Sequence, residues 1–427
     1  MEGGWHGEKT GGVVAEMRGW KRVAGMCGGD GAKGAVFVRL VCIQFVLALL
    51  LLTGQETDAQ VLQLHNRLPS DRTAEVIEIP LSQVLLHAHI PERSAQFLVA
   101  EDAASKQRVP AQLYSAAGGS SPDTLLLYVQ LAAKGTKEFV FRVDPHAPAQ
   151  NALVFGREAP ERKDDFAWEN ELVTYRIYGP ALQATGEIAS GIDVWSKRVP
   201  NFVIDSFYTR DLEGQRTHNP ALSYHRDNGQ GLDSYLVGPT RGCGGTAVLV
   251  DGRLYASKNY TSLHVLADGP IRFAFEVTYA PWDANGVVVT EKKQITLDAG
   301  THLNRIESTY TFQGAPTLQM VAGLAMHDGA MVEFPVAGSV AAVWDTPQLP
   351  SAGRIATGIV ADPREHAVTR EEDGHALMVF TRRSGEPFVY YAGSGWSKAD
   401  MPTMKDWTAY LKLQLLQMEH PVIQSWK

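Results

Sequence analysis

The sequence predicts a mostly β protein: antiparallel sheets packed face to face, a smaller β-sandwich on the N-terminal side and a helix near the C-terminal end. Three observations predict it. Apolar and polar residues alternate in "EFVFRV" (138–143), "LVTYRIYG" (172–179) and "IRFAFEVTY" (271–279), the period of a strand with one buried face. Turn signals recur at Gly156, Asp251-Gly252, Asp268-Gly269-Pro270 and Asp373-Gly374. Helical spacing is convincing only in "TMKDWTAYLKLQLLQ" (403–417).

In chain order, residues 1–59 read as a lead and targeting segment. The run "LVCIQFVLALLLL" (40–52), preceded by Lys33 and Arg39, has the length of a signal-peptide core and is short for a membrane span. Thr57 and Ala59 suit cleavage before Gln60, which sends the mature chain to the periplasm or the medium. An uncleaved anchor is the competing reading, and Met17 or Met26 are alternative starts. Residues 60–160 are expected to form the small sandwich, closed by the proline-rich, charged stretches "PHAPAQ" and "REAPERKDD". Residues 161–427 are expected to form the main body and carry the site. Within it, "KKQITLDAGTHLNRIESTYTF" (292–312) reads as a hairpin turning at Asp298-Ala299-Gly300. Thr403, three residues before Asp406, marks the start of the terminal helix.

Composition narrows the partners. A 44% hydrophobic, 20% charged chain of 427 residues is ordinary for a folded protein, and a net charge of −8 disfavours a nucleic-acid or anionic membrane surface. A local basic pocket for an acidic substrate remains compatible with it. Cys27 and Cys42 lie in the lead, so Cys243 stands alone in the mature chain, with no disulfide and no cysteine-type zinc site. It reads as a small buried hydrophobe.

The stretch "YHRDNGQGLDSYLVGPTRGCGG" (224–245) gathers the chemistry. His225 can exchange a proton near neutral pH, Asp227 or Asp233 can orient it, Tyr224 or Tyr235 can act as an acid, and Arg241 can clamp a carboxylate in two-pronged fashion. Its glycines let the backbone turn sharply against a ligand. The competing reading is a long loop held together by its own Asp–Arg pairs. Two "W-S-K" matches supply candidate sugar-stacking platforms: Trp195 with Asp193 and Lys197, and Trp396 with Tyr391 and Lys398. The same aromatics can instead fill a core. Glu169 and Glu171 in "WENEL" lie on one face of a possible strand, as a glycosidase pair or as a solvated edge. His327 beside Asp328 is a second imidazole, a metal ligand or a satisfied loop histidine. His264 and His302 fall in strand patterns, and His218 lies on the approach to the main stretch.

Four blocks, "FAWENELVTYRIYGPAL", "GIDVWSK", "YHRDNGQGLDSYLVGPTRGCGG" and "YYAGSGWSK...WTAYL", resemble the signature blocks of the secreted bacterial domain-of-unknown-function family 4861, over roughly residues 70–415. That resemblance implies the galactose-mutarotase-like supersandwich, a fold shared by sugar epimerases, several glycoside hydrolases and many polysaccharide lyases. It also implies a setting among enzymes that dismantle plant and algal polysaccharides, uronate-rich ones included. It implies no reaction, because a fold does not carry one.

No Gly-x-Ser-x-Gly elbow, phosphate loop or His-Glu-x-x-His is present, and no βαβ rhythm that would hold a nucleotide. The expectation is a secreted carbohydrate-active enzyme, a lyase performing β-elimination on a uronate-containing saccharide. The alternatives are a glycoside hydrolase with a carboxylate pair among Glu169, Asp193, Asp227 and Asp233, an epimerase using His225 and His327, and a noncatalytic glycan-binding protein. The sequence names no metal set, and leaves the cofactor unknown. The expected partner is an oligosaccharide or polysaccharide, without nucleic acid and without membrane apart from the signal segment.

Overall fold

The computed structural model describes residues 60–115, 118–119 and 121–427, so the expected signal segment and its cleavage point lie outside the described residues. Residues 59–427 pack as one compact unit. The unit is mostly antiparallel β, as the alternation predicts.

Two sheets make the main body. One has nine strands, with the order Ser262–Asp268, Arg272–Thr278, Val287–Asp298, Leu303–Phe312, Pro387–Trp396, Ile355–Val360, Val340–Asp345 and Met331–Val336, and Trp282–Ala284 added beside Val287–Asp298. The other runs Arg253–Tyr255, Cys243–Val250, Leu318–Ala325, His375–Arg382 and Val368–Glu372. Phe273, Phe275, Ile295, Ile306 and Tyr390 of the first share a core with Met320, Leu324, Met378 and Phe380 of the second. The hairpin predicted at 298–300 is present, with Gly300 at φ +78°. Gly156 does not turn the chain. It sits inside the strand Val154–Ala159, where a Cβ would lie 2.5 Å from the Phe273 ring.

The outer face of the nine-stranded sheet is covered by the helix Met404–Glu419, whose Trp407 and Leu411 pack on Val340, Ala342 and Ala356. Thr403 caps it by accepting from the Asp406 N–H, as its position in the sequence predicts. Nearer the N-terminal end, Leu62, Leu64, Phe139 and Phe141 meet Ile77, Ile79, Leu125 and Leu127 in a second core. The last strand, Ile423–Trp426, returns to pair with Leu62–His65. Among the described residues no helix is long and apolar enough to cross a membrane.

A third sheet positions the candidate site. Its order is Gly231–Leu232, Asp193–Lys197, Thr174–Ile177, Asp165–Asn170 and Val154–Ala159. Side chains alternate across it. Phe166, Trp168, Tyr175, Ile177 and Val194 join the main core. The opposite face carries Asp165, Glu169, Arg176, Asp193, Trp195 and Lys197. It is roofed by the helix Ile204–Thr217 through Phe207 and Tyr208, and by Tyr224 of the following loop.

Candidate active site

The roof over that polar face is tied down by a long-range cap. Glu169, fully buried, accepts from the backbone N–H groups of Val203 and Ile204 at 2.8 and 2.9 Å, and from Lys197 Nζ at 2.8 Å. It is therefore neither a solvated edge nor one of a facing catalytic pair. A carboxylate at a helix start satisfies otherwise orphaned N–H groups and meets the positive end of the helix dipole. Since the cap lies more than thirty residues upstream, the helix Ile204–Thr217 has no side-chain cap at its own N-cap, Val203, and helical spacing did not reveal it.

Register places Arg176 directly opposite Asp193 on the neighbouring strand. Arg176 Nη2 donates to Asp193 Oδ2 at 2.6 Å and to Asp233 Oδ2 at 2.9 Å. Nη1 donates to the Tyr224 hydroxyl at 3.1 Å and lies 3.6 Å from Asp165 Oδ2. Arg162, from the charged stretch that reads as a domain boundary, donates to the same hydroxyl. Trp195 packs against Phe207, Tyr208, Tyr224 and the Arg176 guanidinium, and its indole N–H donates to Asp193. Among the described residues no group of three or more His, Cys, Asp or Glu side chains is arranged to hold a metal ion. The three aspartates surround a guanidinium instead.

Three carboxylates share one buried arginine and a partly exposed one, so the cluster holds protons at neutral pH. Burial, then the charge of Asp233, outweighs Arg176 and pushes Asp193 up to about 7. Burial pushes Asp165 up to about 6, and Asp233 is raised for the same reason. The unfolded carboxyls release their protons near pH 4. Between that value and about pH 7 the folded chain holds more protons than the unfolded one, so this cluster lowers stability as pH rises. Asp193→Asn is expected to flatten that slope. Denaturant unfolding at pH 5 and pH 7.5 measures it, and an unchanged slope would remove Asp193 from the proton count.

His225 sits above this cluster with 52% of its side chain exposed. Its Nδ1 lies 3.0 Å from the Asp233 carbonyl oxygen, which can only accept, so Nδ1 carries the proton. In the neutral ring that leaves Nε2 as the nitrogen that can accept a proton, and it makes no hydrogen bond among the described residues. Orientation thus comes from the backbone of Asp233. The Asp227 carboxylate pairs with Arg198, whose guanidinium lies 4.4 Å from the Trp396 ring centroid. Gly231, at φ +145°, allows the loop to pass where a Cβ would stand 2.0 Å from the Ser196 carbonyl.

The other residues expected in the site lie elsewhere or are covered. Arg241 is 3% exposed and donates to the Ser190 hydroxyl and to the carbonyls of Thr246 and Pro239, so it is a strut of the loop and not a carboxylate clamp. Tyr235 is buried against His327. His327 is bonded through Nδ1 to Asp345, not to Asp328, and through Nε2 to the Leu236 carbonyl. Both partners accept, and the bond to Asp345 raises its pKa, so His327 serves as a loop anchor. Lys398 donates to the Ser351 carbonyl, and Tyr391 lines a different cavity. Trp195 and Trp396, at 1% and 2% exposure, are core residues and not open platforms. They meet, with Lys197, His302 and Asp400, around a gap with room for about one water. His302 is not on a sheet surface. It is buried between the Ser394 carbonyl and Asp400. His264 is exposed, and His218 lies past the helix end in the left-handed region. Cys243 is buried and donates to the Gly393 carbonyl.

Trp195→Ala is accordingly expected to cost about 3–5 kcal/mol of stability, the usual result of emptying a buried aromatic site. A chemical denaturation curve checks it; an unchanged midpoint would return Trp195 to the surface.

Residues 64–423 match the family described as a domain of unknown function, DUF4861. The chain is 32% identical over 393 residues to "Uncharacterized protein P7" of Formosa agariphila, covering 87% of this chain and 95% of that one. Among solved structures it is similar to an alpha-mannosidase from Enterococcus faecalis V583, at 8% identity and a TM-score of 0.43, over 86% of this chain and 46% of that one. A protein in the glycosyl hydrolase family 38 from Enterococcus faecalis gives 9% identity, 86% and 47% coverage, and a TM-score of 0.45. The chain spans about half the length of these two structures, and likenesses with TM-scores this low carry no argument about activity.

Proposed function

From the premise that the chain belongs to the DUF4861 family, we propose that it is a carbohydrate-active enzyme performing β-elimination on a uronate-containing saccharide, with His225 as the base. The observation that carries this reading is the exposed imidazole itself. Nδ1 is held by the Asp233 carbonyl, and the half-exposed ring sits over a buried cluster of carboxylates whose pKa values are raised. Of the six residues expected to be catalytic, only His225 and Asp227 reach solvent, and Asp227 is held by Arg198.

In this reaction the imidazole Nε2 takes the proton from the carbon next to the sugar carboxylate. The electron pair left on that carbon forms a carbon–carbon double bond, and the neighbouring carbon–oxygen bond breaks. The leaving oxygen takes its proton from the imidazolium just formed, so His225 ends as it began. Arg162 supplies the cation for the carboxylate in place of Arg241. It is partly exposed, and it touches Tyr224 beside His225. Burial raises the pKa of Tyr224, and its hydroxyl oxygen faces two guanidinium groups, so it serves to position the arginines.

A glycoside hydrolase needs two carboxylates on opposite sides of one bond. Glu169, Asp193 and Asp233 are buried, and the last two converge on one guanidinium nitrogen, which speaks against that reading. The test is incubation with a panel of uronate-containing polysaccharides, following ultraviolet absorbance and released sugar together. New absorbance supports the lyase. Sugar release without absorbance would replace it by a hydrolase.

A further inference from the structure

A cavity of about 420 Å³ lies between the strand Arg72–Pro80, the outer face of the nine-stranded sheet and the C-terminal helix. It shares no lining residue with the surface around His225. We propose that this cavity is a second, noncatalytic binding site, and that its ligand is a neutral saccharide.

A sugar hydroxyl both donates and accepts, so a sugar site needs unspent donors and acceptors side by side. This cavity has them. Thr296 is 5% exposed and lines it, yet its hydroxyl makes no hydrogen bond among the described residues. The Tyr391 hydroxyl is likewise unspent. Arg305 uses Nη2 on Glu307 and keeps Nε and Nη1. Gln414 donates to Gln417 at 3.0 Å, leaving a carbonyl oxygen on the first and an amide nitrogen on the second. Leu303 and Met418 supply apolar lining for the C–H faces of a ring.

Charge selects the class. Glu75, Glu78 and Asp298 line the cavity against Arg272 and Arg305. Arg272 is spent, donating to both Asp298 oxygens at 2.6 and 2.7 Å and to Glu78. Glu75 in turn pairs with Arg72, and Arg305 is shared with Glu307, so a uronate would find no lining arginine free of a carboxylate, whereas a neutral sugar needs no counter-charge.

The test is calorimetric titration of the full chain carrying His225→Ala, alone and with Thr296→Val or Arg305→Ala added. The probes are neutral hexasaccharides of glucose, xylose, mannose and galactose, and a uronate hexasaccharide. At least one neutral probe is expected to bind, whereas the uronate, which the surface around His225 takes, is expected to bind equally well with and without the added substitutions. Thr296→Val, which keeps the shape and removes the hydroxyl, should weaken neutral binding roughly 3- to 10-fold, and Arg305→Ala by at least as much. Binding of no neutral probe, unchanged neutral binding in both variants, or a loss of uronate binding in both variants as large as that of the neutral probe would overturn the proposal. Heat is read without turnover, so absence of lyase activity would leave this result standing, and the reverse.

Discussion

His225→Ala is expected to lower turnover on a uronate substrate by about a hundred- to ten-thousand-fold, the usual loss when a general base is removed. The fold should survive, because the side chain is half in solvent and makes only the contact with Asp233 and the ring contact with Tyr224. The decisive measurement is initial rate by ultraviolet absorbance, alongside a melting curve for each protein. A loss in rate with an unchanged melting temperature supports the base assignment. Near-normal turnover would make residues 224–242 a structural loop and end the mechanism.

Arg176→Met carries an expected cost in stability as large as that of Trp195→Ala, and one that depends on pH. Methionine removes the guanidinium that bridges Asp193 and Asp233, with Asp165 close by, and leaves Arg162 as the cation near them. Removing one partner of a buried ionic group typically costs about 3–5 kcal/mol. The loss should be smaller at pH 5 than at pH 7.5, because Asp193, raised to about 7, and Asp165, raised to about 6, are protonated at the lower pH and need no counter-charge. Denaturant midpoints at the two pH values check this. Equal losses at both would mean that packing, not charge, is what Arg176 supplies.

The sequence offers Asp227 or Asp233 as the residue that orients His225, because both are aspartates in the same glycine-rich stretch, and the structure places Asp233 against the ring. What was not legible is how the pair is made. The backbone carbonyl of Asp233 holds the ring, while its carboxylate is turned to Arg176. Arg162 and Arg176 were passed over, the first in a charged stretch that reads as a domain boundary, the second in a strand whose alternation puts it on the polar face. Arg241 drew the role of clamp because it lies in the same stretch as His225. Sequence proximity says nothing of which way a guanidinium points, and this one is used up on Ser190 and backbone carbonyls.

By itself the sequence determined the period of the strands, the hairpin at Gly300 and the capped terminal helix, since each depends on neighbours a few residues apart: alternation, a turn glycine, a Thr–Asp cap. Only the tertiary structure decided what covers the polar face of the third sheet. Charged residues at every second position look the same whether water or protein lies above them. Here the helix Ile204–Thr217, started by a glutamate from a distant strand, and the loop after it close over Arg176 and its aspartates. Burial then does what no local pattern encodes. It removes solvent from three carboxylates, raises their pKa values, and leaves His225 as the imidazole above them that faces solvent.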